Sequence, residues 1–169
     1  LIVERAGHVD VVFGTHNLRL VPSLVRAAEL GERAARVSTS ASLDRFDLPD
    51  RHPAFVESSP GRAYLTVMEG CDMFCSFCIV PATRGREVSR PADAIVREAE
   101  ALAARGVLEI VLLGQTVNAY GRHDLRRGRT EPSGTTSFAA LIRRLAAIPA
   151  LRRIRYTSPH PIFFDEELV

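Results

Sequence analysis

Three cysteines, Cys71, Cys75 and Cys78, stand within eight residues of one another in the string EGCDMFCSFCIVP, and they are all the cysteines the chain has. Three thiols cannot all pair with one another, and a cytoplasmic protein has little use for disulfides. A structural zinc asks for four ligands, usually in two separated pairs, and the nearest histidines, His52 and His123, are distant in sequence. Three thiolates suit a cubane cluster of four irons, because the short spacers let one loop wrap three corners and leave the fourth iron open for chemistry. A non-enzymatic module holding zinc or a structural cluster stays open beside that reading.

The spacing Cys-x3-Cys-x2-Cys, placed after a strand, resembles the radical S-adenosylmethionine (SAM) superfamily. That resemblance implies that the amino and carboxylate groups of SAM chelate the open iron. Electron transfer from the reduced cluster then cleaves the sulfonium bond to give Met and a 5′-deoxyadenosyl radical. The protein supplies binding, orientation and exclusion of side reactions. Gly70 lets the backbone turn tightly toward the cluster. Phe77 occupies the position where the superfamily places an aromatic near the adenine of SAM; the alternative is an ordinary core residue.

The longer string MEGCDMFCSFCIVPATRGREVSRP is similar to the tRNA methylthiotransferase family of radical SAM enzymes, whose cysteines are followed by V-P, R-G and S-R-P segments. LLGQTVNAYG (112–121) and RIRYTSPHP (153–161) resemble the branch that acts on isopentenylated adenosine beside the tRNA anticodon. VDVVFGTHN (9–17) resembles the end of that family's N-terminal domain. The family implies a transferase reaction in two parts: hydrogen abstraction from C2 of the base, then insertion of a sulfur that a second SAM methylates. It also implies a tRNA substrate, a flavodoxin- or ferredoxin-type electron donor, a sulfur source and a second 4Fe-4S cluster in the N-terminal domain. No cysteine remains here for that second cluster, so the 169 residues alone are expected to be inactive in methylthiolation. Relatives that modify threonylcarbamoyladenosine in tRNA, or an aspartate of a ribosomal protein, are the alternatives within the class.

Beyond the cluster ligands no catalytic side chain is assigned. Gln115 and Asn118 follow a strand in a loop where their amides can bind SAM or the target base; the alternative is that they satisfy loop backbone groups. Arg84 and Arg86 can neutralise cluster, SAM carboxylate or RNA phosphate, or stay solvated. His160, between two prolines, faces a similar choice between a ligand and a turn.

The elements that must position these groups are readable from period and punctuation. Residues 9–13 suit a strand, 18–30 a helix with Gly31 as its cap, and 63–68 a second strand. A helix over 91–105 carries Ile95, Ala99, Leu102 and Ala103 on one face and ends at Gly106. The run 107–113 is nearly continuous apolar, as in a parallel strand covered on both faces. Ser137 caps a helix whose stripe is Phe138, Leu141, Ile142, Leu145 and Ile148, stopped by Pro149, and 154–157 is the next strand.

Strands separated by helices predict right-handed βαβ units: an α/β fold, part of a β/α barrel of parallel strands with crossover helices, preceded by the end of an α/β N-terminal domain. The expected division is 1–31 for that end, 32–56 for a linker rich in Ser, Asp, Pro and Arg, and 57–169 for a truncated radical SAM core. Chemistry then belongs to the loops at 69–90, 114–134 and 158–161, all at one end of the sheet.

The start at Leu1 and the acidic stretch just before Val169 suggest an excerpt of a longer protein. All 22 basic residues are Arg, which a GC-rich genome explains without nucleic acid, so the net charge of +2 does not argue for RNA. No membrane span or secretory signal is expected, and the expected compartment is the cytoplasm.

Overall fold

The computed structural model describes residues 2–38, 43–46, 61–123 and 136–169. It opens with the short helix α1 (Ile2–Arg5), the strand β1 (Val11–Phe13), a 3-10 stretch at Thr15–Leu20, the helix α2 (Val21–Glu29) and the strand β2 (Ala34–Arg36). The helix expected from residue 18 therefore starts as 3-10 and becomes α-helical where Pro22 fits the first turn. Gly31 and Glu32 close α2 by donating to the carbonyls of Ala28 and Ala27. β2 pairs in parallel with β1, Val11 opposite Ala34, inside the stretch assigned above to a linker. Three residues are too few for a periodicity to show, and the partner strand supplies the bonds that make them a strand. The boundary expected near Val56 lies outside the described residues.

The second part runs β3 (Arg62–Thr66), β4 (Met68–Glu69), α3 (Val80–Arg84), β5 (Val88–Ser89), α4 (Ala92–Ala104), β6 (Glu109–Leu113), α5 (Phe138–Ala146) and β7 (Arg153–Tyr156). β3, β6 and β7 form a parallel sheet in the order β3-β6-β7. The single strand expected over 63–68 is two strands. After Val67 the chain leaves the sheet, and β4 pairs antiparallel with β5, Met68 opposite Ser89. The expected loop 69–90 is thus a closed excursion with a helical turn in it, tied at its base by that ladder.

α4 and α5 cover one face of the sheet. Ala63 and Leu65 of β3 and Ile110 and Leu112 of β6 share that face, and they pack with Ile95, Ala99, Leu102, Leu141 and Leu145 of the two helices. Burying each large aliphatic side chain is worth roughly 1.5–3 kcal/mol, whereas the exposed ion pair between Arg144 of α5 and Asp93 of α4 is worth at most about 1 kcal/mol. The apolar face therefore holds the helices down. The expected stripe on α4 is buried, and that on α5 is buried except for Ile142, which is partly buried against the same core; Ser137 accepts from the amide of Ala140 at 3.1 Å as the N-cap. α4 stops because Gly106 takes φ +89° and lets the amides of Gly106 and Val107 bond Ala103 and Leu102.

The opposite face carries a charge where the sequence pattern is apolar. Glu109, on the central strand, is buried and meets Arg62 at 2.6 Å, Arg153 at 2.9 Å and Arg155 at 3.3 Å. The hydrogen bond from Arg153 holds the Glu109 carboxyl below the ordinary carboxylate range, and the Glu109 charge raises Arg62 in turn. A carboxyl whose folded pKa is lowered stabilises the fold above its unfolded value, near 4.5, and that stability disappears as pH falls through the folded value. Glu109→Gln is therefore expected to melt below the wild type at pH 7, with the difference closing as the pH falls below about 4.5. Thermal melts of both proteins across pH check this, and a pH-independent gap contradicts it.

Candidate functional site

The parallel register sets the loops level. Leu113 stands beside Thr66 and Leu112 beside Tyr156, so the chain leaves all three strands at the same end. The cysteine loop, the loop from Gly114 and the loop from Ser158 meet there, as expected of consecutive βα units.

Gly70 is the pivot of the first loop. Its φ is +79°, and a Cβ on it would lie 2.1 Å from the carbonyl oxygen of Arg86, so only glycine fits. The amide of Cys71 donates to the carbonyl of Gly85 at 3.2 Å, which brings the two ends of the excursion together. Between them Asp72 binds the return strand: it accepts from the amide of Glu87 at 3.1 Å and pairs with Arg86 at 2.7 Å. His123 stands 3.7 Å from the same carboxylate. Arg86 also lies over the ring of Phe74, 5.1 Å from its centroid. Its charge is committed to the loop's own architecture, while Arg84 is half-buried in the last turn of α3.

Cys71 is buried, and Cys75 and Cys78 are half-buried. Among the described residues no three His, Cys, Asp or Glu side chains converge as one metal ion would require. A cubane attaches its thiolates at three separate irons, so its ligands need not converge on a point. The donor set, three soft thiolates on one loop, fits such a group. Phe77 is 91% exposed, so among the described residues its ring lies outside the core.

The loop after β6 serves as a clamp. Gln115 accepts from the amide of Gly70 through Oε1 at 2.7 Å, and the hydroxyl of Thr116 lies 3.1 Å from the sulfur of Cys71. Asn118, 1% exposed, donates to the carbonyl of His160 at 2.9 Å and accepts from its amide at 2.8 Å. Tyr120 donates to the carbonyl of Arg90 at 2.7 Å, and Ser89 accepts from the amide of Gly121 at 2.9 Å. The amides of Gln115 and Asn118 thus satisfy loop backbone groups, joining the loops on either side. His160 accepts from the amide of Ile162 through Nδ1 at 3.3 Å and starts the 3-10 turn Pro161–Phe163. Thr116, Tyr120 and Asp72 escape the sequence reading. Only the adjacency of Thr116 to Gln115 and of Asp72 to Cys71 pointed at them.

The sequence profile of the radical SAM superfamily matches residues 65–168. The chain belongs to the radical SAM superfamily, whose members use a 4Fe-4S cluster and SAM. Among curated relatives it is similar to a tRNA-2-methylthio-N(6)-dimethylallyladenosine synthase from Geotalea uraniireducens, 46% identical over 99% of this chain and 36% of the relative. It is likewise similar to the protein of that name from Haemophilus ducreyi, 43% identical over 99% of this chain and 33% of the relative. The chain spans about a third of the length of these relatives. Among solved structures it is similar to the radical SAM methyltransferase TsrM from Kitasatospora setae, determined with cobalamin and a 4Fe-4S cluster bound. That similarity has a TM-score of 0.40 and 27% identity over 64% of this chain and 19% of that one.

Two substitutions test the clamp. Gly70→Ala is expected to cost roughly 1–3 kcal/mol in chemical denaturation, the scale of one strained backbone residue, and to lower iron content after anaerobic reconstitution. Wild-type stability in that variant contradicts the close approach. Asn118→Asp keeps the acceptor for the His160 amide but replaces the donor to its carbonyl with a charge, and is expected to unfold at lower denaturant than the wild type. Asn118→Asp with an unchanged midpoint contradicts the clamp at that position.

Proposed function

We propose that these residues are part of a tRNA methylthiotransferase that adds a methylthio group to C2 of N6-isopentenyladenosine beside the anticodon. The observation that carries this is the identity of 46% along 99% of the chain to a synthase of that name, with Cys71, Cys75 and Cys78 on the loop that the fold presents for chemistry. On this reading residues 57–169 are part of a radical SAM β/α barrel and 1–31 the end of the preceding domain. The three parallel strands and the profile match from residue 65 support the first assignment.

Cys71, Cys75 and Cys78 would hold the 4Fe-4S cluster, and Phe77 would face the adenine of SAM. When bound, the cluster and SAM supply the electron and the radical chemistry. The residues of this chain position and enclose. Gly70 and Asp72 fix the loop's entry and return, Gln115 and Thr116 fix its first two residues, and Asn118 keeps the third loop level with the other two. Contacts of Gln115 and Asn118 with SAM or the base would be made by whatever faces their backbone bonds leave free. The tRNA, an electron donor of flavodoxin or ferredoxin type, a sulfur source and a second cluster held elsewhere in the full protein complete the reaction. Among the described residues no helix is long and apolar enough to cross a membrane.

The test uses the full-length protein, reconstituted anaerobically with iron and sulfide and incubated with SAM, reductant and isopentenylated tRNA. Nucleoside mass spectrometry is expected to find 2-methylthio-N6-isopentenyladenosine, and Cys75→Ala is expected to abolish both product and SAM cleavage. Product on threonylcarbamoyladenosine instead overturns the substrate, and full SAM cleavage by Cys75→Ala overturns the ligand assignment.

A further inference from the structure

Thr116 stands where it can act on the electronics of the site as well as its shape. Its hydroxyl lies 3.1 Å from the sulfur of Cys71, and both residues are buried, at 5% and 7% exposure. In the free thiol either atom can be the donor. A thiolate bound to iron has no proton, so in the loaded protein only the hydroxyl can donate. A bond so placed, away from competing water, stabilises negative charge on sulfur, and hydrogen bonds to ligand sulfurs are among the factors that set cluster potentials. The neighbouring residue fixes the geometry: Gln115 accepts from the amide of Gly70 at 2.7 Å, so successive residues of one loop hold the peptide and the side chain of the Cys71 turn. β6 and β3 carry both loops out of the sheet in register. Cys75 and Cys78 are half-buried, and Cys71 is the buried member of the three.

We propose that Thr116 is a positioning residue that donates its hydroxyl hydrogen to the Cys71 thiolate and so raises the reduction potential of the cluster. The inference rests on the assignment of the three cysteines to one 4Fe-4S cluster. It predicts that removing the hydroxyl at constant volume makes the cluster harder to reduce without releasing it, because the thiolate loses a donor and not a ligand.

The experiment is a redox titration of the full-length protein, followed by electron paramagnetic resonance, with iron and sulfide content measured in parallel. Thr116→Val is expected to retain wild-type iron and sulfide and to shift the midpoint of this cluster to more negative potential, while Thr116→Ser restores the wild-type midpoint. An unshifted midpoint in Thr116→Val, or a Thr116→Ser protein that behaves like Thr116→Val, overturns the inference. If Thr116→Val folds by circular dichroism but no longer takes up this cluster while Thr116→Ser does, the hydroxyl is needed to bind the cluster and not to tune it, and the inference is overturned. A full-length protein whose iron content is unchanged when Cys71, Cys75 and Cys78 are all replaced overturns the cluster reading itself, whereas failure confined to the midpoint overturns only the role of Thr116.

Discussion

The parallel pairing of β6 with both β3 and β7 is the constraint on which the site depends. With Leu113 beside Thr66 and Leu112 beside Tyr156, three loops far apart in sequence start at one level. The bonds that follow are short and direct: the amide of Val67 reaches the carbonyl of Leu113 at 3.0 Å, and that of Gly70 reaches Gln115 at 2.7 Å. A slip of one residue in β3 would turn Leu65 away from the helices and Tyr64 toward them, so burial of the apolar face also enforces the alignment of the loops.

The two faces of the sheet divide the labour. Aliphatic burial against α4 and α5 provides the driving force, while the Glu109 cluster with Arg62, Arg153 and Arg155 links all three strands at the end away from the cysteines. A buried carboxylate among arginines contributes less net stability than its short contacts suggest, because desolvation opposes the attraction. Its consequence is geometric, since one side chain of the central strand ties both neighbours. The cysteine end is held by hydrogen bonds to backbone, which fix the positions of the loops.

Much of this was legible in the sequence. The stripe on α4, the Ser137 cap and the stops at Gly31 and Gly106 follow from helical period and end chemistry, and those elements lie where the pattern places them. Cys71, Cys75 and Cys78 announced themselves by spacing. The antiparallel ladder of β4 with β5 was not legible, since two residues carry no period and the pairing is made across 18 intervening residues, 70–87. Nor was the use of Gln115 and Asn118. An amide in a loop advertises hydrogen bonding but not its partner, and the partners, Gly70 and His160, are 45 and 42 positions away. Thr116 carries a hydroxyl that looks ordinary until the fold sets it on a cysteine.

The central claim is that one loop, held by the one beside it, presents three thiolates to a cluster with an open iron. The electron paramagnetic resonance spectrum of the reduced full-length protein, recorded anaerobically with and without SAM, tests this most directly. The expected result is a 4Fe-4S component that SAM perturbs and that disappears when Cys71, Cys75 and Cys78 are all replaced by Ala. Zinc held by these cysteines in place of a cluster, or the lack of any 4Fe-4S component that responds to SAM, contradicts it.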